Sequence, residues 1–214
     1  MEAHLVNALT LFFRQGAIQL REPRFRKLPF RINYEALDTL PIFRDLIFEL
    51  LDEIIIAQDF DAVTTSPYGC KYWPAIFADR HGLPFLMPIE VSASSHTPLG
   101  LYGEQPAGSR ILMLSTFNPP FGLDNMEAHP SIRMFDVLSA VHCKTVEMIT
   151  LFNADRSQAF NCFFSANRTR DVAIKSIFTM HDVLKAVVAT PLFYGADADL
   201  AQRALKHYET NEVR

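Results

Sequence analysis

Tryptophan, cysteine and glycine are scarce in this chain of 214 residues, which has one Trp, three Cys and eight Gly. The cysteines, Cys70, Cys143 and Cys162, show no CxxC spacing, so the sequence predicts neither a disulfide framework nor a thiolate zinc site. No GxGxxG or GxxxxGK[ST] motif occurs, which argues against a dinucleotide-binding dehydrogenase and against a P-loop hydrolase. The histidines show no metal-ligand spacing, and we expect no metal site.

Long apolar runs and a strong charge of one sign are also missing. Acidic residues interrupt each apolar run before it reaches about 18 residues, the length that a membrane helix needs. The first four residues, Met1 to His4, lack the basic region of a secretory signal. A net charge of -4 disfavours binding to nucleic acid or to an anionic membrane. We therefore expect a cytoplasmic protein that binds neither.

Apolar residues are abundant, at 49% of the chain, and 18 of them are Phe. This is ample material for a packed core, and at roughly 150 residues per domain the length fits one domain. We interpret residues 1–214 as a single domain with an N-terminal helix and a small hood in residues 1–40 and a core in residues 41–214.

The core alternates between two kinds of pattern. Apolar residues at helical spacing follow short β-prone runs, and the predicted strands are Phe60–Thr65, Leu83–Ile89, Arg110–Leu114, Thr145–Phe152 and Ile174–Phe178. This alternation predicts an α/β fold with a mostly parallel sheet of five or six strands covered by helices. Ligand sites are then expected in the loops after the strands, which are Ser66–Tyr72, Glu90–Ser109, Ser115–Pro130 and Asn153–Arg156.

Several segments match, in order, the motifs of one known family. They are Gly16–Arg21 with Leu28–Asn33, Phe60–Phe85, Gly108–Leu114, Leu151–Gln158 and Ser176–Leu184. Together they resemble orotate phosphoribosyltransferase, a type I phosphoribosyltransferase that joins orotate to phosphoribosyl pyrophosphate. The resemblance implies a mostly parallel central sheet flanked by helices, with a small N-terminal hood. It also implies a dimer, either of two copies or with a homologous chain.

The resemblance assigns a substrate-binding group to this chain. Arg156 matches the family's arginine for the orotate carboxylate, and Phe30, Arg31, Tyr68 and Lys71 join it. A planar guanidinium suits a carboxylate, although an arginine after a strand also forms structural ion pairs. Lys71 is equally consistent with an ordinary lysine on the protein surface. The ligand implied is a pyrimidine or another small carboxylate.

The departures from the family fall on its phosphate and metal chemistry. In the family, two acidic residues end the central strand, hold the ribose hydroxyls and help to place Mg²⁺, and here Ser115 and Thr116 match them. Neutral hydroxyls cannot supply that negative charge. The following phosphate loop matches the stretch from Phe117 through Asn118 to Gly122, which contains Pro119 and Pro120. Prolines lack the N–H donors that such a loop needs, although Asn118 could retain one contact.

The mobile loop of the family carries several cations, of which this chain keeps none. When the segment from Glu90 to Thr97 is aligned with that loop, His96 is the one residue that matches. His96 is also consistent with an ordinary histidine that faces solvent in a loop. The remaining basic cluster is Arg21, Arg24, Arg26, Lys27 and Arg31. It either contacts an anionic ligand, an acidic partner or RNA phosphates, or it is a solvated loop.

Two functions follow from this pattern. The first is a catalytically impaired phosphoribosyltransferase homologue that acts as a binding, regulatory or assembly subunit and uses no cofactor. The second is a working orotate phosphoribosyltransferase of pyrimidine biosynthesis that uses Mg²⁺ and unusual residues, or borrows a loop from a partner subunit.

Overall fold

A computed structural model describes twelve stretches of the chain, namely residues 2–21, 30–33, 36–37, 41–66, 72–90, 98–103, 106–118, 130–153, 162–165, 168–171, 173–189 and 196–210. Within them the helices are α1 Glu2–Arg14, α2 Pro41–Asp52, α3 Tyr72–Arg80, α4 Pro130–Ala140, α5 Met180–Ala189 and α6 Ala196–Thr210, with a 3₁₀ turn at Ala57–Asp59. The strands are β1 Ile18–Leu20, β2 Phe30–Ile32, β3 Ala62–Thr65, β4 Phe85–Glu90, β5 Pro98–Tyr102, β6 Arg110–Asn118, β7 Lys144–Asn153, β8 Cys162–Ser165, β9 Arg168–Asp171 and β10 Ala173–Thr179.

Six strands form the central sheet, in the order β10-β7-β6-β3-β4-β5. Each neighbouring pair is parallel except β4 with β5, which is antiparallel. Helix α3 lies between the parallel strands β3 and β4, and α4 lies between β6 and β7. Between β7 and β10 the described chain contains the antiparallel pair β8 and β9. The prediction of a mostly parallel α/β sheet flanked by helices is therefore confirmed.

The sheet is covered on both faces because its central strands are apolar on both faces. Along β6, Leu112 and Leu114 join the larger core cluster, which includes residues of α1, α2, α3, α5 and α6. Ile111 and Met113 point the other way, into a smaller cluster with Met134, Phe135 and Leu138 of α4. The continuous apolar sequence of β6 thus contributes side chains to both clusters.

Aromatic rings fill the larger cluster near the ends of two strands. Phe12 of α1 lies 4.9 Å from Phe43 and 5.7 Å from Phe152, measured between ring centroids. Phe152 and Phe178, from adjacent strands, stack at 5.5 Å. These contacts fix the N-terminal helix against β7 and β10.

The expected hood region contains a small sheet of its own. Strands β1 and β2 pair antiparallel, with Ile18 opposite Ile32 and Gln19 opposite Arg31. Ile18 and Ile32 are buried in the larger cluster, so this sheet packs onto the core. The division of the chain at residue 40 stays a prediction.

Two loop predictions were wrong in part. The expected loop Glu90–Ser109 contains edge strand β5, which begins at Pro98, a position where a strand tolerates proline. The expected loop from Ser115 begins later, because β6 continues to Asn118 through the β-prone residues Thr116 and Phe117.

The register between β6 and β7 contains one irregularity. Ile111 lies opposite Thr145, whereas the next residue, Leu112, lies opposite Glu147. Val146 is therefore the extra residue of a β-bulge. Beyond it the pairing is regular up to Asn118 opposite Asn153.

Candidate functional site

The carboxyl ends of β3, β6, β7 and β10 meet at one edge of the sheet, called here the carboxyl edge. Parallel strands bring their ends together in this way, and ligands of open α/β sheets bind there. The side chains that the sequence supplies at this edge decide what it can bind.

Three hydroxyl residues lie side by side across β6, β7 and β10. Ser115 is opposite Thr150, and Thr150 is opposite Ser176. Ser115 and Thr150 are fully buried, and the hydroxyl of Thr150 donates to the carbonyl of Phe152 at 3.2 Å. We call these three residues the hydroxyl row.

The next residue of β6, Thr116, contacts a helix. The indole Nε1–H of Trp73, in the first turn of α3, donates to Thr116 Oγ1 at 3.3 Å. Both residues are 1% exposed. A buried indole N–H usually finds an acceptor, because leaving it without one is costly.

Strand β3 adds further buried hydroxyls. Thr64 donates to the carbonyl of Leu86 at 2.7 Å, and Thr65 donates to the carbonyl of Ser66 at 3.3 Å. All the buried polar side chains in the described part of the chain are Ser or Thr hydroxyls, namely Thr64, Thr65, Ser66, Ser109, Ser115, Thr116 and Thr150. All but Ser109 lie toward the carboxyl edge, so the buried polar groups that the described strands supply there are neutral hydroxyls.

An acidic residue does occur at the rim of this edge. Thr179, the last residue of β10, hydrogen-bonds the carboxylate of Asp182 and accepts from its backbone N–H at 3.1 Å. This is an N-terminal cap of α5. In the same turn, His181 Nε2 lies 3.0 Å from Glu209 of α6. Asp182 therefore takes part in capping the N-terminus of α5.

The opposite end of the sheet, called here the amino edge, carries charges. The carboxylate of Asp61 accepts from the backbone N–H of Arg110 at 2.7 Å and from its guanidinium at 3.3 Å. The backbone hydrogen bond, followed by the guanidinium, lowers the pKa of Asp61. Burial raises the pKa of the nearby Cys143 thiol.

The structure separates the predicted site residues into groups. Ser115, Thr116 and Asn118 lie together on β6. Phe30 and Arg31 lie on β2, in the small N-terminal sheet, and the Arg31 side chain is exposed. Tyr68, Lys71, His96, Gly122 and Arg156 lie outside the described residues, so their assignment stays a prediction.

Sequence reasoning missed the contact between Trp73 and Thr116 and the lateral alignment of Thr150 with Ser115. The first joins residues far apart in sequence, and no local pattern signals it. The second has a weak signal, because Ser115 and Thr150 stand near the ends of two apolar runs. The structure also shows that Ser115 and Thr116 belong to a strand.

The residues that match the family's magnesium-placing acids do not fit that ion. Mg²⁺ prefers carboxylate and water oxygens in an open octahedral site. Ser115 and Thr116 offer buried neutral hydroxyls instead. Elsewhere among the described residues, no three His, Cys, Asp or Glu side chains group together as metal ligands.

Searches by sequence found neither a matching family model nor a matching curated protein. Solved structures match instead. UMP synthase from Leishmania donovani matches with a TM-score of 0.68 at 14% identity, over 94% of this chain and 42% of that chain. The chain thus spans less than half of that relative. Orotate phosphoribosyltransferase from Aeropyrum pernix matches with a TM-score of 0.60 at 18% identity, over 85% of this chain and 97% of that one.

A structure with a different named activity matches as well. Adenine phosphoribosyltransferase from Leishmania donovani has a TM-score of 0.55 at 14% identity, over 88% of this chain and 86% of that one. These likenesses show that the chain has the type I phosphoribosyltransferase fold. Among the helices in the described stretches, none combines the length and the apolar character that a membrane crossing requires.

Proposed function

We propose that this protein is a phosphoribosyltransferase-like subunit without transferase activity of its own, which binds a small ligand or regulates or assembles with a partner. The observation that carries the proposal is the burial of neutral Ser115 and Thr116 at the end of β6. An electrostatic group aimed at developing charge typically contributes roughly 100-fold or more to a rate. Buried hydroxyls in place of two carboxylates leave that contribution out.

The occupied hydroxyl of Thr116 supports the same conclusion. It accepts a hydrogen bond from Trp73 inside the protein. A residue in this position stabilises the fold and does not face solvent. The resemblance gives the carboxylates at this place an exposed role toward ribose and metal, and the buried pair departs from that role in both charge and accessibility.

The ligand in this proposal is a pyrimidine or another small planar carboxylate. The resemblance assigns its carboxylate to Arg156, with Phe30, Arg31, Tyr68 and Lys71 around it. A bidentate arginine contact requires one correctly placed side chain and no metal. Base recognition can therefore persist where capture of phosphate and Mg²⁺ has been lost.

A transferase assay tests the catalytic half of the proposal. Orotate consumption is measured with phosphoribosyl pyrophosphate and Mg²⁺, for the protein alone and after mixing with a conventional homologue. We expect no turnover by the protein alone. Turnover at an ordinary enzymatic rate, about 1 to 1000 per second, would overturn the proposal in favour of a working orotate phosphoribosyltransferase. Activity only in the mixture would indicate a subunit that completes a shared site.

Calorimetry tests the binding half. Orotate, orotidine monophosphate and phosphoribosyl pyrophosphate are titrated into the wild type and into Arg156→Ala. We expect orotate to bind the wild type and to lose affinity in the variant. Tight binding of phosphoribosyl pyrophosphate with Mg²⁺ would contradict the proposed loss of the phosphate side. Binding of none of the three would leave a macromolecular partner for the basic cluster Arg21, Arg24, Arg26, Lys27 and Arg31.

Association and location complete the proposal. A dimer, of two copies or with a homologous chain, is expected from the family resemblance, and light scattering at micromolar concentration measures it. A mass of 24.3 kDa, that of one chain, would contradict self-association.

A cytosolic location is supported by the small number of cysteines and by Cys143, which is a buried free thiol.

A further inference from the structure

The hydrogen bond between Trp73 and Thr116 joins two segments that flank the carboxyl edge. Trp73 lies at the start of α3, directly after residues 67–71. Thr116 lies near the end of β6, directly before residues 119–129. The donor and the acceptor are 43 residues apart in sequence. A single contact therefore joins the start of α3 to the end of β6.

The two ends of α3 are anchored by different contacts. Near its C-terminal end, Arg80 Nη2 lies 3.1 Å from Asp52 Oδ2, and His81 Nε2 lies 3.0 Å from Asp52 Oδ1. Phe77 packs against Phe48 of α2 at 6.0 Å between ring centroids. These contacts anchor the end of α3 that lies far from the carboxyl edge. At its start, the Trp73 indole provides a directional contact to β6.

Burial makes this contact well suited to positioning. The indole and the hydroxyl are both excluded from water, so water does not readily replace either partner when the bond is broken. The chain contains no second tryptophan that could take over the role or confuse a spectroscopic measurement.

We infer that Trp73 is a positioning residue, which holds the last residues of β6, from Thr116 to Asn118, in the arrangement that a ligand at the carboxyl edge meets. The inference deepens the proposed function and, for its ligand, rests on it. The positioning itself is measured without any ligand.

Hydrogen exchange of backbone amides is the first test. In Thr116→Val, a substitution of nearly equal shape without the hydroxyl, the amides of Phe117 and Asn118 should exchange about tenfold faster, because the local opening becomes easier. The amides of Ile111 to Met113, at the other end of the strand, should keep their rates. Thr116→Ser retains the hydroxyl and should restore slow exchange. Trp73→Phe should behave like Thr116→Val.

The matched control is Thr64→Val. Thr64 is also a fully buried threonine, and its hydroxyl donates to the carbonyl of Leu86 at 2.7 Å on the side of β3 away from β6. Its removal should weaken the fold without a selective change at Phe117 and Asn118. Equal acceleration in the control would show a general loss of stability and would overturn the inference.

Fluorescence of Trp73 gives a second, independent result. An indole without a hydrogen-bond acceptor emits at shorter wavelength, so Thr116→Val should shift the emission to the blue. Thr116→Ser and Thr64→Val should leave it unchanged. An unchanged spectrum in Thr116→Val, together with unchanged exchange at Phe117 and Asn118, would overturn the inference.

Orotate binding connects the positioning to function. By calorimetry, Thr116→Val should weaken orotate binding by up to about tenfold, the free energy of one ordinary hydrogen bond being the limit of an indirect effect through positioning, and Thr116→Ser should bind like the wild type. Full affinity in Thr116→Val would overturn the link to the ligand. A wild type that binds no orotate would contradict the proposed function, whereas exchange and fluorescence would still decide whether Trp73 positions β6.

Discussion

The two edges of the central sheet differ in the kind of polar group that each carries. At the amino edge, Asp61 and Arg110 are charged, and their side chains are 43% and 47% exposed. At the carboxyl edge, Ser115, Thr116 and Thr150 are neutral and buried. The last residues of β6 and β7 thus have the neutral, buried polar groups of a protein interior, whereas the described residues at the amino ends of β3 and β6 carry an exposed ion pair.

Solvation explains why the two sets of groups are stable where they lie. A partly exposed carboxylate and guanidinium keep much of their hydration while they pair. A buried ion would lose its hydration, whereas a hydroxyl needs only one or two hydrogen bonds to be accommodated. The comparison teaches that burial and neutrality occur together in the hydroxyl residues at the carboxyl ends of β6 and β7, whereas charge and exposure occur together at the amino edge.

The largest expected effect comes from placing a charge at the carboxyl edge. Ser115→Asp should lower the free energy of unfolding at neutral pH by about 3 to 5 kcal/mol, the cost of an uncompensated buried charge, because the carboxylate would take the place of a fully buried neutral hydroxyl. Burial should raise the pKa of the new carboxyl, so the destabilisation should diminish as the pH falls and the group becomes neutral. Urea unfolding at several pH values measures both effects.

Ser115→Asn is the control for that experiment, since it adds similar volume without charge. It should cost less than Ser115→Asp and show no comparable pH dependence. If Ser115→Asp were as stable as the wild type at neutral pH, the carboxyl edge would have to be open to water or to hold a cation beside residue 115. The contrast between the two edges would then be wrong.

A smaller effect is expected when a hydroxyl is removed from the same row. Thr150→Val should cost about 1 kcal/mol, the net contribution of one ordinary hydrogen bond, since its hydroxyl donates to the carbonyl of Phe152. The comparison with Ser115→Asp separates loss of a hydrogen bond from gain of a charge. Urea unfolding again gives the value, and a loss as large as that of Ser115→Asp would show that the Thr150 hydroxyl contributes far more than one ordinary hydrogen bond.

At the amino edge the expected effect is small and depends on pH. The pKa of Asp61 is lowered, first by the backbone N–H of Arg110 and then by its guanidinium. The carboxylate therefore stabilises the fold above the ordinary aspartate pKa of about 3.9, and this contribution is lost as the pH falls through the lowered folded-state pKa. Asp61→Asn should reduce stability slightly at neutral pH and remove this part of the acid sensitivity.

Unfolding of the wild type and of Asp61→Asn is compared between neutral pH and strongly acidic pH. The difference in stability should be constant at neutral pH and shrink below the ordinary aspartate pKa. A difference that grows in acid would contradict the direction of the pKa shift and the assignment of Arg110 as its cause.

The smallest effect concerns Cys143, which lies just before β7 at the amino edge. Burial raises the pKa of its thiol, and the side chain has little exposure. In a Cys70→Ser, Cys162→Ser background, alkylation of the folded protein should be roughly tenfold or more slower than that of the urea-unfolded protein. Equal rates would show that solvent reaches Cys143 in the folded protein, so that the residues beneath the Asp61–Arg110 pair are not closely packed.

Much of the fold follows from patterns that are local in sequence. The run Arg110–Leu114 and the helical spacing from Phe43 to Leu51 predict their elements, because burial imposes those periods on the sequence. Strand β5 was missed because Pro98 and Gly100 favour a loop locally. The antiparallel pairing with β4 overrides that preference.

The candidate site was less predictable. The sequence predicted that a loop begins at Ser115, directly after the strand, whereas the structure places Ser115 and Thr116 within β6. Their burial and the bond from Trp73 depend on how α3 packs across the sheet. No pattern within a short window contains that information, since the two partners meet only after the sheet has formed.

The bulge at Val146 separates Lys144 and Thr145 from the remaining residues of β7, which pair with β6 in a shifted register. Thr145 and Glu147, two residues apart, face consecutive residues of β6. The inward and outward alternation of β7 is therefore reset at that point. The pairing of Ser115 with Thr150 therefore belongs to the register that begins with Leu112 opposite Glu147, and not to the register that sets Ile111 opposite Thr145.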